Sequence, residues 1–256
     1  MTVYALETFG LTKEFAGFAA VSDVALRVRR HTIHGLIGPN GAGKSTCFNL
    51  LTKFLAPTRG RIVYEGRDIS RARPAEVARL GLARSFQISA VFPHLTALEN
   101  VRAALQRRRG ASFDFWRSDR LLRRYDDEAR AQLAEVGLAG WEDALAAEMP
   151  YGRKRALELA TTLALDPKML LLDEPLAGMG QEDIFKIAEL IRRAARGRTV
   201  LMVEHNLSVV ASLCEVITVL TRGKVLAEGD YATVSADPAV QQAYLGESDG
   251  PGSAHV

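Results

Sequence analysis

The chain of 256 residues has only two cysteines, Cys47 and Cys214, far apart and outside any CxxC or Cys/His cluster. A disulfide framework and a zinc site are thereby excluded, and a reducing cytoplasm is the natural setting. No apolar run approaches the roughly 18 to 20 residues of a membrane span. The opening stretch MTVYALETFGLTKEF carries Glu7 early and has no apolar core of a secretion signal. Any membrane role is therefore expected to be peripheral. A large charge of one sign is missing too: 33 basic against 30 acidic residues leave a net +3, ordinary for an arginine-rich soluble enzyme and too little to announce nucleic acid. No internal repeat is visible. What remains is a globular composition, 48% hydrophobic and 25% charged, long enough for one large or two modest domains with a real core.

Short β-rich runs fall at residues 3–9, 21–28, 33–37, 62–64, 169–172, 199–203, 216–220 and 224–227. Helical patterns lie between them, at 44–54, 74–80, 121–136, 153–165 and 182–195. Strand and helix thus alternate, which predicts an α/β fold with a largely parallel sheet. The stretch from about 95 to 165 has helix signals and no convincing strand, and reads as a helical subdomain inserted into that core. Residues 1–248 are expected to form one domain, and 249–256, with Gly250, Pro251, Gly252 and Ser253, a frayed tail.

Chemistry enters at Gly38-Pro39-Asn40-Gly41-Ala42-Gly43-Lys44-Ser45, which matches G-x-x-x-x-G-K-[ST] between an apolar strand and a helix. Glycines let the backbone wrap a polyphosphate so that N–H groups converge on its oxygens, and the helix start adds a positive dipole end. Lys44 reaches for the β- and γ-phosphates, Ser45 offers a hydroxyl to Mg²⁺, and Thr46 can bond an α-phosphate oxygen. Further on, Met169-Leu170-Leu171-Leu172 runs into Asp173-Glu174-Pro175. A buried strand ending in an acid delivers a carboxylate to the sheet edge where the phosphate loop sits. Asp173 is placed to hold Mg²⁺ and Glu174 to act as general base on water; the plain alternative is an acid pair capping the helix near Glu182. The strand 199–203 ends in Glu204-His205 at the same edge, where a histidine can contact the γ-phosphate. Gln87, after 81–86, is either a surface glutamine or a neutral member of the Mg²⁺ shell.

Taken in order, GPNGAGKST, RSFQ, YGRKRALELA, LLLDEP and VEH resemble the ATP-binding subunit of ABC transporters over nearly the whole chain. TKEFAGFAAVSDV, FPHLTALENV, DEPLAGM, VEHNLSVV and DPAVQQAYLG are similar to the branched-chain amino acid importer type. The resemblance implies a P-loop NTPase core with an N-terminal antiparallel β subdomain, and ATP with Mg²⁺ as cofactors. It makes Phe15 the aromatic that stacks on adenine, Gln87 the Q-loop glutamine, Asp173 the Walker B acid, Glu174 the catalytic base and His205 the switch histidine. Two such subunits clasp two ATP molecules head to tail. Pro150, Tyr151, Gly152 and Arg153 would be the signature segment that acts on the partner's ATP. The implied partners are a second ATP-binding subunit, two integral-membrane permease subunits and, indirectly, a periplasmic or extracellular solute-binding protein, with no nucleic acid. The implied location is the cytoplasmic face of a bacterial inner membrane. In the segment 88–101, which receives a coupling helix in this family, Phe92 and Leu95 either line the groove or belong to the core.

Two departures stand out. Where the family usually has Leu-Ser-Gly-Gly-Gln, this chain has Met149-Pro150-Tyr151-Gly152-Arg153, so the serine hydroxyl is replaced by a proline. Proline is well tolerated at a helix start and leaves the N–H groups of the next three residues available. Gly180 stands where an aspartate is common. An intact phosphate loop and Glu174 beside an altered Pro150 predict two unequal sites, made with a different, fuller partner subunit; a homodimer is the other arrangement. Nine arginines against five acids between Arg102 and Arg130 read as a solvated helical surface or, with Phe113, Phe115 and Trp116 near, as a face toward anionic headgroups. Other functions considered are a lipopolysaccharide-type or other exporter ATPase, and a soluble ABC ATPase on ribosomes or DNA. A kinase or GTPase fails on the signature helix.

Overall fold

A computed structural model describes residues 3–85, 91–108 and 123–245. Two sheets organise it. The first is six-stranded, and along it lie β11 (Lys224–Gly229), β10 (Val216–Thr221), β4 (Ile33–Ile37), β9 (Thr199–Val203), β8 (Met169–Asp173) and β7 (Leu82–Ser85), in that order. Every pairing is parallel except the hairpin β10 and β11. The second sheet is antiparallel: β1 (Tyr4–Phe15) pairs with β2 (Phe18–Val24), β3 (Arg27–Arg29) and β5 (Arg59–Tyr64), and β5 pairs with β6 (Arg67–Asp68).

The mainly apolar character of β4, β8 and β9 has a direct cause. All five residues of each are buried, and successive side chains of a strand point to opposite faces. Leu170, Leu172, Val200, Met202, Ile33 and Ile37 enter one core, shared with the helical region. Met169, Leu171, Leu201, Val203 and Leu36 enter the other, shared with the antiparallel sheet. Helix α1 (Lys44–Leu51), which follows the phosphate loop, lies between the two sheets and buries Cys47, Phe48, Leu50 and Leu51 in that second core. At about 1.5–3 kcal/mol for each fully buried large side chain, these layers fix where the ends of β4, β8 and β9 stand.

The expected inserted helical region is present. It comprises α3 (Ala97–Arg108), α4 (Asp126–Glu135) and α5 (Tyr151–Ala164), after the short α2 (Pro74–Arg79). These pack through Val101, Leu105, Ala129, Leu133, Leu157 and Ala160. Among the described residues of 95–165 no strand occurs, only an isolated bridge between Thr96 and Leu145. The entry to α3 is held by buried Asn100, which accepts from the Phe92 N–H at 2.7 Å and donates to the Phe92 and Thr96 carbonyls at 3.1 and 2.9 Å. Thr96 and Glu99 add reciprocal bonds of 3.2 and 2.8 Å, a capping box. Phe92, held this way, is 59% exposed and so does not belong to the core, while Leu95 is half-buried. The chain continues through α6 (Gln181–Ala194), α7 (Leu207–Leu213), α8 (Tyr231–Ala236) and α9 (Pro238–Leu245).

Several boundaries differ from the sequence reading. The run 21–28 is two strands, interrupted beyond Asp23 (φ 56°), because β2 and β3 pair with different stretches of β1. The helix read as 44–54 ends at Leu51, and Lys53 at φ 64° turns the chain away. Strand β7 is an addition. Within the arginine-rich stretch, Arg102 pairs with Asp126 at 3.1 Å, and Arg108 with Glu128 and Asp166 at 3.3 and 2.9 Å. Those arginines serve the helical surface. Phe113, Phe115, Trp116 and Gln87 lie outside the described residues, as does the tail 249–256.

Candidate functional site

Because β4, β8 and β9 run parallel in register, their ends coincide. Leu36 stands opposite Val203, and Asp173 opposite Val203 on the other side. The phosphate loop, Asp173-Glu174 and Glu204-His205 therefore leave the sheet at one edge. Strand β7 ends beside β8, Ser85 opposite Leu172, at this same edge.

The loop needs its glycines for room as well as for phosphate. Gly38 has φ 148°, and a Cβ there would stand 2.1 Å from the Leu220 carbonyl oxygen; at Gly43, φ 100°, it would stand 2.5 Å from that of Ala20. Only glycine fits either place. Gly43 is the N-cap of α1 without any side-chain cap, and a helix start of this kind is suited to an anion. Asn40, Gly41 and Ser45 are exposed, and Pro39, Gly43, Lys44 and Thr46 half-buried; Ala42 is buried, its carbonyl accepting from the Gly223 N–H at 2.9 Å. The Lys44 ammonium donates to the Gly38 and Pro39 carbonyls at 2.6 and 2.8 Å. It lies over the loop.

Asp173 is 5% exposed, and its Oδ2 receives a 2.5 Å bond from Arg84. It ends a strand eight residues before the start of α6 at Gln181, so the capping alternative does not hold. Glu174 is half-buried, in the left-handed region at φ 47°, and its N–H donates to the Val203 carbonyl at 2.9 Å. A non-glycine residue held there costs on the order of 1–3 kcal/mol, and such strain gathers where a side chain must be aimed. The His205 side chain is 67% exposed, with Nδ1 3.4 Å from Glu204 Oε1. Phe15 sits by the tip of the β1/β2 hairpin, 43% exposed, opposite Phe18, with the Lys13 ammonium 5.0 Å from its ring centre.

Two residues passed over in the sequence reading belong here. Arg84 bonds Asp173 and Asn49 together. Glu204, 1% exposed, accepts from the N–H groups of His205 and Asn206 at 2.9 and 3.2 Å and from that of Leu176 at 3.4 Å. It ties the histidine loop to the segment after Glu174. The available signal was position: Glu204 directly precedes His205 at a strand end, and Arg84 opens RSFQ, three residues before Gln87.

The segment 150–153 is built differently. Pro150 is the N-cap of α5 and exposed, with Met149 buried before it. The Tyr151 hydroxyl donates to the Ala177 carbonyl at 2.9 Å and accepts from Arg155 at 2.9 Å, and Arg155 pairs with Glu158 at 2.7 Å. Gly152 approaches Asp183 so closely that a Cβ would stand 3.2 Å from its carboxyl. The Arg153 guanidinium stacks 3.6 Å from the ring centre of Trp141. This helix start thus faces the loop 176–180 and α6, and Gly180 is the N-cap of α6.

A glycine-rich anion loop after β4 of a parallel sheet, an acid pair at the end of β8, the next strand but one, and a helical insertion define an ATP-binding cassette ATPase. Comparison with known proteins agrees: residues 21–177 match the ABC transporter family and residues 224–250 the branched-chain amino acid ATP-binding cassette transporter family. The chain belongs to the ATP-binding subunits of ABC transporters. It is 37% identical over 253 residues to the high-affinity branched-chain amino acid transport ATP-binding protein BraF of Pseudomonas aeruginosa, covering 95% of this chain and 98% of BraF. It is also 35% identical to the lipopolysaccharide export system ATP-binding protein LptB of Acidithiobacillus ferridurans, over 94% of this chain and 97% of LptB. The crystal structure of MJ1267, an ATP-binding cassette of an ABC transporter in its ADP conformation, superposes with a TM-score of 0.82 at 29% identity, covering 96% of this chain and 100% of that one. Among the described residues no helix is long and apolar enough to cross a membrane.

Proposed function

We propose that this ATPase powers import of branched-chain or related amino acids through a membrane permease, hydrolysing Mg-ATP at the edge where β4, β8 and β9 end. The convergence of Lys44, Asp173, Glu174 and His205 on that edge carries the reading of the reaction. The similarity to BraF and the match at 224–250 carry the solute class and weigh against an exporter of the LptB kind.

In this reading Phe15 stacks on adenine, and the N–H groups of residues 41–46 wrap the phosphates. Lys44 exchanges the Gly38 and Pro39 carbonyls for β- and γ-phosphate oxygens. Glu174 takes a proton from the water whose oxygen bonds the γ-phosphorus, while the bond from that phosphorus to the β-phosphate oxygen breaks and ADP leaves. His205, steadied by Glu204, contacts the γ-phosphate. Among the described residues no cluster of three or more His, Cys, Asp or Glu could hold a metal by itself. One carboxylate and one hydroxyl, Asp173 and Ser45 with Gln87 joining, form the sparse protein donor set that Mg²⁺ accepts alongside phosphate oxygens. Bound there, Mg²⁺ neutralises phosphate charge.

Pro150, Tyr151, Gly152 and Arg153 act on ATP held by a second, non-identical ATP-binding subunit. Two permease subunits and an external solute-binding protein complete the assembly, with this chain peripheral at the cytoplasmic face of the inner membrane. ATP closes the pair of subunits and hydrolysis reopens it, a two-state element biased by the ligand. The test is uptake of labelled leucine, isoleucine or valine into proteoliposomes carrying the reconstituted complex. ATP-driven uptake that is lost with Lys44→Ala is expected, and ATP turnover without uptake of any of the three overturns the solute class. Sedimentation of Glu174→Gln with Mg-ATP should show a monomer until the second subunit is added; an ATP-dependent homodimer overturns the unequal pair.

A further inference from the structure

We infer that Arg84 is a positioning residue for hydrolysis: it holds the carboxylate of Asp173 and opposes, electrostatically, the divalent cation that arrives with ATP. The inference rests on the reading of Asp173 as the acid that holds this cation.

Three elements meet at this one side chain. Arg84 lies on β7, three residues before Gln87. Its Nη2 is 2.5 Å from Asp173 Oδ2 at the end of β8, and its Nη1 donates to Asn49 Oδ1 at 2.6 Å on α1. The guanidinium carbon stands 5.7 Å from the ring centre of Phe48, one residue earlier on that helix. Both charges are nearly out of water, the side chains being 11% and 5% exposed. A charge so buried is costly without a counter-charge beside it. Arg84 supplies it and, through the fixed fork of the guanidinium, ties that charge to the helix that follows the phosphate loop.

This geometry has a consequence for metal binding. The bond to Oδ2 restrains the orientation of the Asp173 carboxylate. Arg84 also places a permanent positive charge on the same carboxylate that must attract a second one. A neutral residue at 84 should therefore let Mg²⁺ be gained at lower concentration yet held in worse alignment. A residue that merely packed would have no reason to improve metal binding when removed.

The experiment titrates Mg²⁺ into the full chain with a fluorescent ATP analogue, with turnover measured alongside at saturating Mg²⁺. For Arg84→Met the half-saturating Mg²⁺ concentration should fall roughly tenfold, as expected when a charge a few ångströms away is removed from a low-dielectric site, while turnover also falls. Arg84→Lys keeps a charge on Asp173 and should leave half-saturation near the wild-type value. An unchanged or raised half-saturation in Arg84→Met overturns the inference. Asp173→Asn tests the underlying reading separately. If that variant leaves the Mg²⁺ dependence of nucleotide binding untouched, Asp173 does not hold the cation and the inference falls with it. Should Arg84→Met not fold, the Arg84→Met/Asp173→Asn double variant decides by its melting temperature. Recovery toward that of Asp173→Asn alone supports service to Asp173, and no recovery shows that Arg84 acts elsewhere.

Discussion

At the phosphate-loop edge, Lys44, Glu174 and His205 each follow closely on a strand whose five residues are all buried. Pro150, Tyr151 and Arg153 instead begin a helix whose first turn is open to solvent, with Gly152 half-buried among them. In the first region two cores clamp the backbone and strand register does the aiming. In the second, a tyrosine hydroxyl and a stacked arginine do it. The proposed phosphate-binding edge is therefore preorganised by packing inside the chain. The helix start is shaped by a few surface contacts, as suits a segment whose ligand is proposed to arrive on another subunit.

The sharpest way to test that contrast is to alter chemistry at the rigid edge without altering shape. Glu174→Gln should keep ATP binding and lose about 10²–10⁴ in hydrolysis, read from nucleotide binding and phosphate release on the same preparation. Undiminished turnover would take the general base away from Glu174. A second large effect lies beneath the open helix start. Arg155 and Glu158 form a pair only 9% and 4% exposed, and Arg155→Met leaves a buried carboxylate alone, a loss of about 3–5 kcal/mol. The melting temperature should drop by roughly 6–20 °C. Replacing Glu158 by Leu in that background should restore part of it, and no restoration would mean that Arg155 matters through Tyr151 alone.

Pro150→Ser tests the two regions against each other. It returns a hydroxyl to the N-cap, a position that favours serine. A hydrogen bond to a charged phosphate is worth about 1.5–3 kcal/mol, so turnover at the site completed by this segment should rise by roughly 10- to 150-fold in the assembled transporter. ATP affinity of the isolated chain should not move, because the phosphate-loop edge is untouched. A rise in both would show that the two regions are coupled within one chain.

How much of this was legible in the sequence follows the same division. Runs such as 169–172 and 199–203 are legible because strands buried on both faces are mostly apolar, and Asp173, Glu174 and His205 stand at or just beyond the ends of those strands. Strand β7 was not legible as such: Leu-Ala-Arg-Ser is four residues at a sheet edge, and an arginine in it looks like surface until Asp173 is seen against it. Glu204 was hidden for a related reason, since its partners are backbone N–H groups, which no residue pattern encodes. The change of partner near Asp23 and the early end of α1 at Leu51 were set by left-handed residues that are not glycine. The contacts of Tyr151 and Arg153 join segments distant in sequence, so they emerge only in three dimensions.

The smallest expected effect is the most specific to the open helix start. Tyr151→Phe keeps the ring and removes one hydroxyl, which donates to Ala177 and accepts from Arg155. Ala177 is half-buried and Tyr151 itself is 47% exposed, so water can replace much of what is lost on the Ala177 side. The cost should be about 0.5–1.5 kcal/mol, a fall of a few degrees in melting temperature. Ala177, however, lies three residues after Glu174, and its carbonyl is the point where the helix start grips the loop between Glu174 and α6. Turnover in the assembled complex should therefore fall by more than stability implies, with ATP affinity of the isolated chain unchanged. If turnover follows stability alone, the hydroxyl is a tether for the fold. If turnover drops while stability holds, the grip on Ala177 transmits the state of one nucleotide site to the segment that acts on the other.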